Sequence, residues 1–200
     1  MKILLIGGVA IAFAATAFAQ QTTQQQTQPR TTQSQVSPGE HPRAPAVTSS
    51  GSEDIEFVLD AAKGGVAEVE LGKMAAERAK SDEVKKFAQR MVDDHSKAND
   101  QLKTIAESKG ITLPSEPGAQ EKATMKRLEK LNGAAFDRAY MQAMVGDHVK
   151  DVNEFKKESN SGRDPQVKSF ASSTLPTLEE HLQQARMARK AATSTTAAGN

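Results

Sequence analysis

From about Ser52 onward, apolar residues recur at spacings of three and four, and no stretch alternates in the manner of a strand. That pattern predicts helices throughout. The first runs from about Ser52 to Lys80, with Glu53, Asp54 and Glu56 in its opening turn. A second starts after Ser81, an N-cap followed by Asp82 and Glu83, and stops at Lys109-Gly110. A short piece covers about Gln120 to Leu131. A third long helix covers about Ala134 to Asn160. The fourth opens at Asp164-Pro165, a cap followed by proline at the first helical position. Pro176 falls inside it and is expected to kink or divide it.

Loop lengths set the expected topology. The turns after the first and third long helices are short, so each pair should form an antiparallel hairpin. More than twenty residues separate the two hairpins, starting with an extended, proline-containing stretch from Ile111 to Gly118. Such a connector can travel the length of a bundle, about 40 Å for a helix of 27 residues. The expected fold is therefore all-α: a ferritin-like four-helix bundle, up-down-down-up, with a crossover that carries a short extra helix.

The core-facing line of each long helix holds one polar residue where an apolar one belongs. In the first, the series Phe57, Ala61, Gly64, Glu68, Leu71, Ala75 contains Glu68. In the second, Val84, Ala88, Met91, His95, Ala98, Leu102 contains His95. The third gives Met141, Val145, His148, Val152, Phe155, and the fourth Val167, Ala171, Thr174, Leu178, His181, Ala185. In the expected threading the four polar residues lie at levels that agree within roughly 5 Å. His95 and His148 also end two copies of one pentapeptide, Met91-Val92-Asp93-Asp94-His95 and Met144-Val145-Gly146-Asp147-His148.

Three imidazoles and a carboxylate form a suitable ligand set for one transition-metal ion, zinc, iron or copper. Asp94, Asp147, Met91 and Met144 are then outer neighbours of that set. The aspartates sit about 100° around the helix from their histidines, and the methionines one turn before them. The competing reading needs no metal: a buried histidine paired with a carboxylate on another helix can fix the register of a bundle. Gly64, Gly65 and Gly72 flank Glu68 and call for close packing or a bulky neighbour, because each costs about 1 kcal/mol of helix propensity.

The ends of the chain change the setting. Lys2, an apolar or small run from Ile3 to Phe18, and Ala17-Phe18-Ala19 have the three regions of a secretory signal peptide, cleaved after Ala19. A periplasmic or secreted location follows. Residues 20–51 are rich in Gln, Thr and Pro and read as a disordered linker, with His41 a bystander. The bundle domain is expected over 52–192 and a disordered tail over 193–200. The chain has no cysteine, which removes disulfides, thiolate chemistry and lipid attachment at an N-terminal cysteine. A net charge of +1 and the lack of tryptophan argue against a nucleic-acid partner.

Several of these residues carry a family likeness. Glu68-Val69-Glu70-Leu71-Gly72, Phe87-Ala88, Phe136-Asp137-x-x-Tyr140 and Leu175-Pro176-x-Leu178-x-x-His181-Leu182, together with the two pentapeptides, resemble the bacterial family called domain of unknown function 4142. The likeness spans about Asp54 to Ala188. It implies an exported, ferritin-like helical protein and brings no established activity. Di-iron bundles place a Glu three residues before their histidines. Here Val92, Val145 and Leu178 occupy those positions, which argues against a di-iron centre. The reading is an exported bundle protein that holds a single metal ion through its His/Glu layer. The alternative is a metal-free envelope or stress-related interaction module whose buried histidines are structural, its protein partner unknown. Neither a nucleophile motif nor a substrate cleft is legible, so the sequence points away from an enzyme.

Overall fold

The computed structural model describes residues 49–197, with side chains from 51 to 193. The expected signal peptide, its cleavage site after Ala19, His41 and nearly all of the 20–51 linker lie outside the described residues. Five helices follow in order: α1 (Ser49–Arg78), α2 (Asp82–Ser108), α3 (Ala119–Leu128), α4 (Gly133–Ser161) and α5 (Pro165–Ala197). No strand occurs among the described residues, so the protein is all-α there. None of the described helices is long and apolar enough to cross a membrane.

Helix boundaries differ from the sequence expectation in instructive places. α1 starts at Ser49, so Ser52 is inside the helix rather than its cap. α5 continues to Ala197, beyond the expected end near residue 192. Three of the residues it adds or retains there, Ala191, Ala192 and Ala197, are strong helix formers. α5 also runs unbroken through Pro176. The proline removes one backbone hydrogen bond, but Ala171 and Leu178 on either side are buried and hold both halves in place.

The turns are fixed by side chains that cross between helices. Ser81 has N-cap geometry, yet its hydroxyl makes no capping bond. The buried Asp137 of α4 instead accepts the backbone N–H groups of Lys80 and Ser81, both at 2.9 Å. Arg78 donates to the carbonyls of Glu129 and Leu131 and lies over the Phe136 ring. Together these bonds tie the α1–α2 turn to the entry of α4. At the other end, Asp54 of α1 accepts from the backbone of Asp164 at 2.7 Å. Asp164 caps α5 by accepting from Gln166 and Val167, and Lys109 at the end of α2 pairs with it at 2.5 Å. Gly110, with φ +66°, takes the left-handed conformation that ends α2.

α1 packs on α2 and α4 on α5, and the two pairs meet through α2 with α5 and α1 with α4. The apolar core falls into two clusters. One contains Leu71, Met91, Met144, Val145 and Ala185; the other contains Ala62, Leu102, Phe155 and Leu178. On each of the four long helices, the chain between the two clusters carries one buried polar residue: Glu68, His95, His148 or His181. A polar layer thus separates two oily ones.

Candidate metal centre

Helical phase delivers the four layer residues to the interior, and the structure brings all four together. His148 and His181 are fully buried, while Glu68 and His95 are 5% and 6% exposed. His95 Nδ1 lies 2.9 Å from Glu68 Oε2. His148 Nδ1 lies 3.0 Å from the Met144 carbonyl, one turn earlier on α4. His181 Nε2 lies 3.0 Å from Asp94 Oδ2. The three rings sit with their centroids 5.3–5.6 Å apart.

These contacts assign the tautomers. A carbonyl or a carboxylate only accepts, so the ring nitrogen facing it carries the hydrogen. That leaves His95 Nε2, His148 Nε2 and His181 Nδ1 with free lone pairs. His148 Nε2 and His181 Nδ1 face each other at 3.4 Å. Two nitrogens bound to one tetrahedral ion at about 2.0–2.1 Å would stand roughly 3.3 Å apart. His95 Nε2 is buried with no hydrogen-bond partner. One ring nitrogen from each histidine lies within 4.8 Å of the other two.

Electrostatics divides the layer further. Burial lowers the His148 pKa to about 4, reinforced by the neighbouring imidazoles and only partly opposed by Glu68. Burial lowers His181 as well, against the pull of Asp94. His95 goes the other way: burial disfavours its charge, but the Glu68 carboxylate outweighs that and raises its pKa. Burial by itself would raise Glu68, yet the facing histidines, His95 foremost, hold it well below its ordinary value. Burial thus favours the neutral form of His148 and His181, the form that can ligate. His95 is the ring of the three that takes up a proton most readily, and a metal on its Nε2 would compete with that proton.

The outer residues separate into two kinds. Asp94 accepts from His181 and from Arg90, which in turn binds Glu180 at 2.6 Å. Asp147 has no such partner, and burial together with the charge of Glu68 pushes it up to about 6. Met91 and Met144 have their side chains in an apolar cluster, and Met144 reaches the site through its backbone carbonyl. Gly72 lets α1 approach α2: a Cβ there would stand 2.9 Å from the Ala88 carbonyl. The sequence reading missed Asp151, three residues after His148 and hence on nearly the same face of α4. Its carboxylate lies within 4.8 Å of ligand atoms of Glu68 and His148.

The model of domain of unknown function 4142 matches residues 37–188. The chain belongs to this family. Among solved structures, it is similar to the DUF305 protein from Streptomyces coelicolor, inferred to be secreted: 18% identity, TM-score 0.57, covering 66% of this chain and 89% of that one. It is also similar to CopM in its Cu(II)-bound form, with 17% identity and TM-score 0.58, covering 68% of this chain and 95% of that one. At such identities the likeness speaks for the fold. No match is found among curated proteins.

Proposed function

We propose that this member of the family is an exported protein that binds one transition-metal ion at His95, His148 and His181. The observation that carries the reading is the set of three inward lone pairs, each on a ring whose other nitrogen is already held by an acceptor. Metal-binding histidines are usually anchored in this way, by a carboxylate or a carbonyl on the far nitrogen. Glu68 and Asp94 then act as the anchors of His95 and His181, so Glu68 supports a ligand instead of being one. Three protein ligands leave a fourth position for water or an exogenous group. Among divalent ions a site of imidazoles binds copper most tightly, with zinc weaker, and the likeness to a structure that holds Cu(II) agrees with copper.

The fold reading extends in the same way. The contacts at the helix ends support a ferritin-like four-helix bundle threaded up-down-down-up, with α3 in the crossover. The signal-peptide pattern and a relative inferred to be secreted support a periplasmic or extracellular location, where such an ion would be acquired or buffered.

Titration calorimetry of the protein with Cu(II) and Zn(II) tests the site. One ion per chain is expected, with affinity lost in His148→Ala and His181→Ala. Binding weaker than about micromolar, or affinity unchanged in both variants, would favour the rival reading of a metal-free layer. The Glu68–His95 ion pair is the observation in that rival's favour.

A further inference from the structure

The carboxylate of Glu68 has two oxygens with different fates. Oε2 accepts from His95, whereas Oε1 is buried and has no hydrogen-bond partner. His148 Nδ1 comes within 3.4 Å of Oε1, but its one hydrogen is committed to the Met144 carbonyl. Glu68 also lines a cavity of about 280 Å³ beside α1 and α4, together with Gly64, Asp147 and Asp151 among others. A Cβ on Gly64 would meet nothing, so the cavity has room there. Asp147 and Asp151 are one turn apart on one face of α4. Neither carboxylate has an ion-pair partner among the described residues. The nearby bases Lys63 and Lys150 pair with Asp60 and Glu154, at 2.8 and 3.7 Å.

We propose that Glu68 Oε1 and the Asp151 carboxylate form a second cation site, distinct from the histidine centre, with Asp147 at its mouth. Its donors are all oxygen, so it selects a hard divalent ion such as calcium or manganese, completed by water. The ion meets a need the layer creates. Three carboxylates share a half-buried space, and a divalent charge offsets their repulsion and supplies the partner that Oε1 lacks. The site shares Glu68 with the histidines and does not require a metal on them. Glu68 then links an oxygen-ligated ion on one side to His95 on the other.

Terbium(III) is the probe, because it takes hard oxygen sites and emits when excited through a nearby tyrosine. Tyr140 is the chain's one tyrosine, in a chain with no tryptophan. It is fully buried on α4 two turns before Asp147, about 10 Å along the helix. Titrating the full chain with terbium should give tyrosine-sensitised emission that calcium displaces and a saturating dose of zinc leaves in place. Asp151→Asn should weaken terbium binding about tenfold or more and leave copper and zinc affinity intact, whereas His181→Ala should do the reverse. Asp147→Asn provides a milder second variant, checked for folding by circular dichroism. Absence of emission, displacement by zinc, or terbium affinity unchanged from the parent in both aspartate variants overturns the second site. A parent protein that binds terbium but neither copper nor zinc would overturn only the histidine centre.

Discussion

The two copies of Met-Val-x-Asp-His place the same side chains on α2 and α4, which lie diagonally across the bundle, yet their aspartates end in opposite circumstances. Asp94, in α2, accepts from His181 and from Arg90 at 3.1 Å. Burial works against its charge, but those two bonds outweigh the cost and hold its pKa below normal. Asp147, in α4, is half-buried next to the negative Glu68 without a hydrogen-bond donor among the described residues, and burial together with that charge raises its pKa to about 6. The motif does not determine the charge state of its own aspartate. What decides it is the surroundings: His181 of α5 and Arg90 hold the charge of the first, while burial beside Glu68 of α1 opposes the charge of the second.

The largest expected effect breaks the comparison at its functional end. Asp94→Ala removes the acceptor that fixes the His181 tautomer, leaving Nδ1 no longer reserved for metal. Copper or zinc affinity should fall about 10–100-fold, the usual cost of losing such an anchor. Asp147→Ala touches no ring hydrogen bond and should change that affinity by less than about threefold. Calorimetric titration of both variants checks the contrast, and equal losses would mean that the Asp94–His181 bond does not orient a ligand.

The second effect concerns stability and pH. Asp147 carries a raised pKa in the folded protein, about 6 against an ordinary 3.8. As pH falls through that window the folded state takes up a proton that the unfolded chain does not, so stability rises. His148 is lowered to about 4 from 6.5. Over nearly the same window the unfolded chain takes up the proton first, so stability falls. These chain neighbours therefore offset one another. Asp147→Asn should be more stable than the parent at pH 7 by about 1–2 kcal/mol. Between pH 7 and pH 5 it should lose about 1 kcal/mol relative to the parent. Urea unfolding at the two pH values reads both numbers, and parallel pH profiles would show that Asp147 titrates normally.

Helical phase alone was enough to read the four layer residues, because a 3.6-residue period and a 1.5 Å rise fix both face and level. The same phase put Asp94 and Asp147 at equivalent positions, and it had no means of separating them, since their partners lie on other helices. Nor does it carry tautomers, which depend on the acceptor each ring meets. Phase therefore does not distinguish a Glu68 that ligates from one that accepts a ligand's N–H, the role that the 2.9 Å contact of its Oε2 with His95 Nδ1 favours. The Glu-x-x-His pattern of di-iron bundles concerns the residues three before each histidine. Asp151 stands three after His148, where the period brings a carboxylate to the same face. Ser81 fits a cap by position, but Asp137, fifty-six residues away, takes the backbone bonds.

The smallest effect sharpens the comparison at the one residue where the pentapeptides differ. The middle position is Asp93 in the first copy and Gly146 in the second. Asp93 accepts from Gln89 across one exposed helical turn at 3.0 Å, an ordinary surface contact. Gly146 is exposed inside α4, and a Cβ built on it meets nothing within 4 Å. Neither a turn nor a close approach to another helix requires glycine there. Gly146→Ala should therefore stabilise the protein by about 0.5–1 kcal/mol, by reducing the backbone freedom lost on folding. Copper affinity should stay as in the parent, since the side chain points away from the layer. A shift of the urea midpoint upward with an unchanged slope checks the first part. If stability rose while metal uptake slowed, the glycine would instead belong to the route by which ions reach the layer, and the second copy of the motif would differ from the first in access as well as in charge.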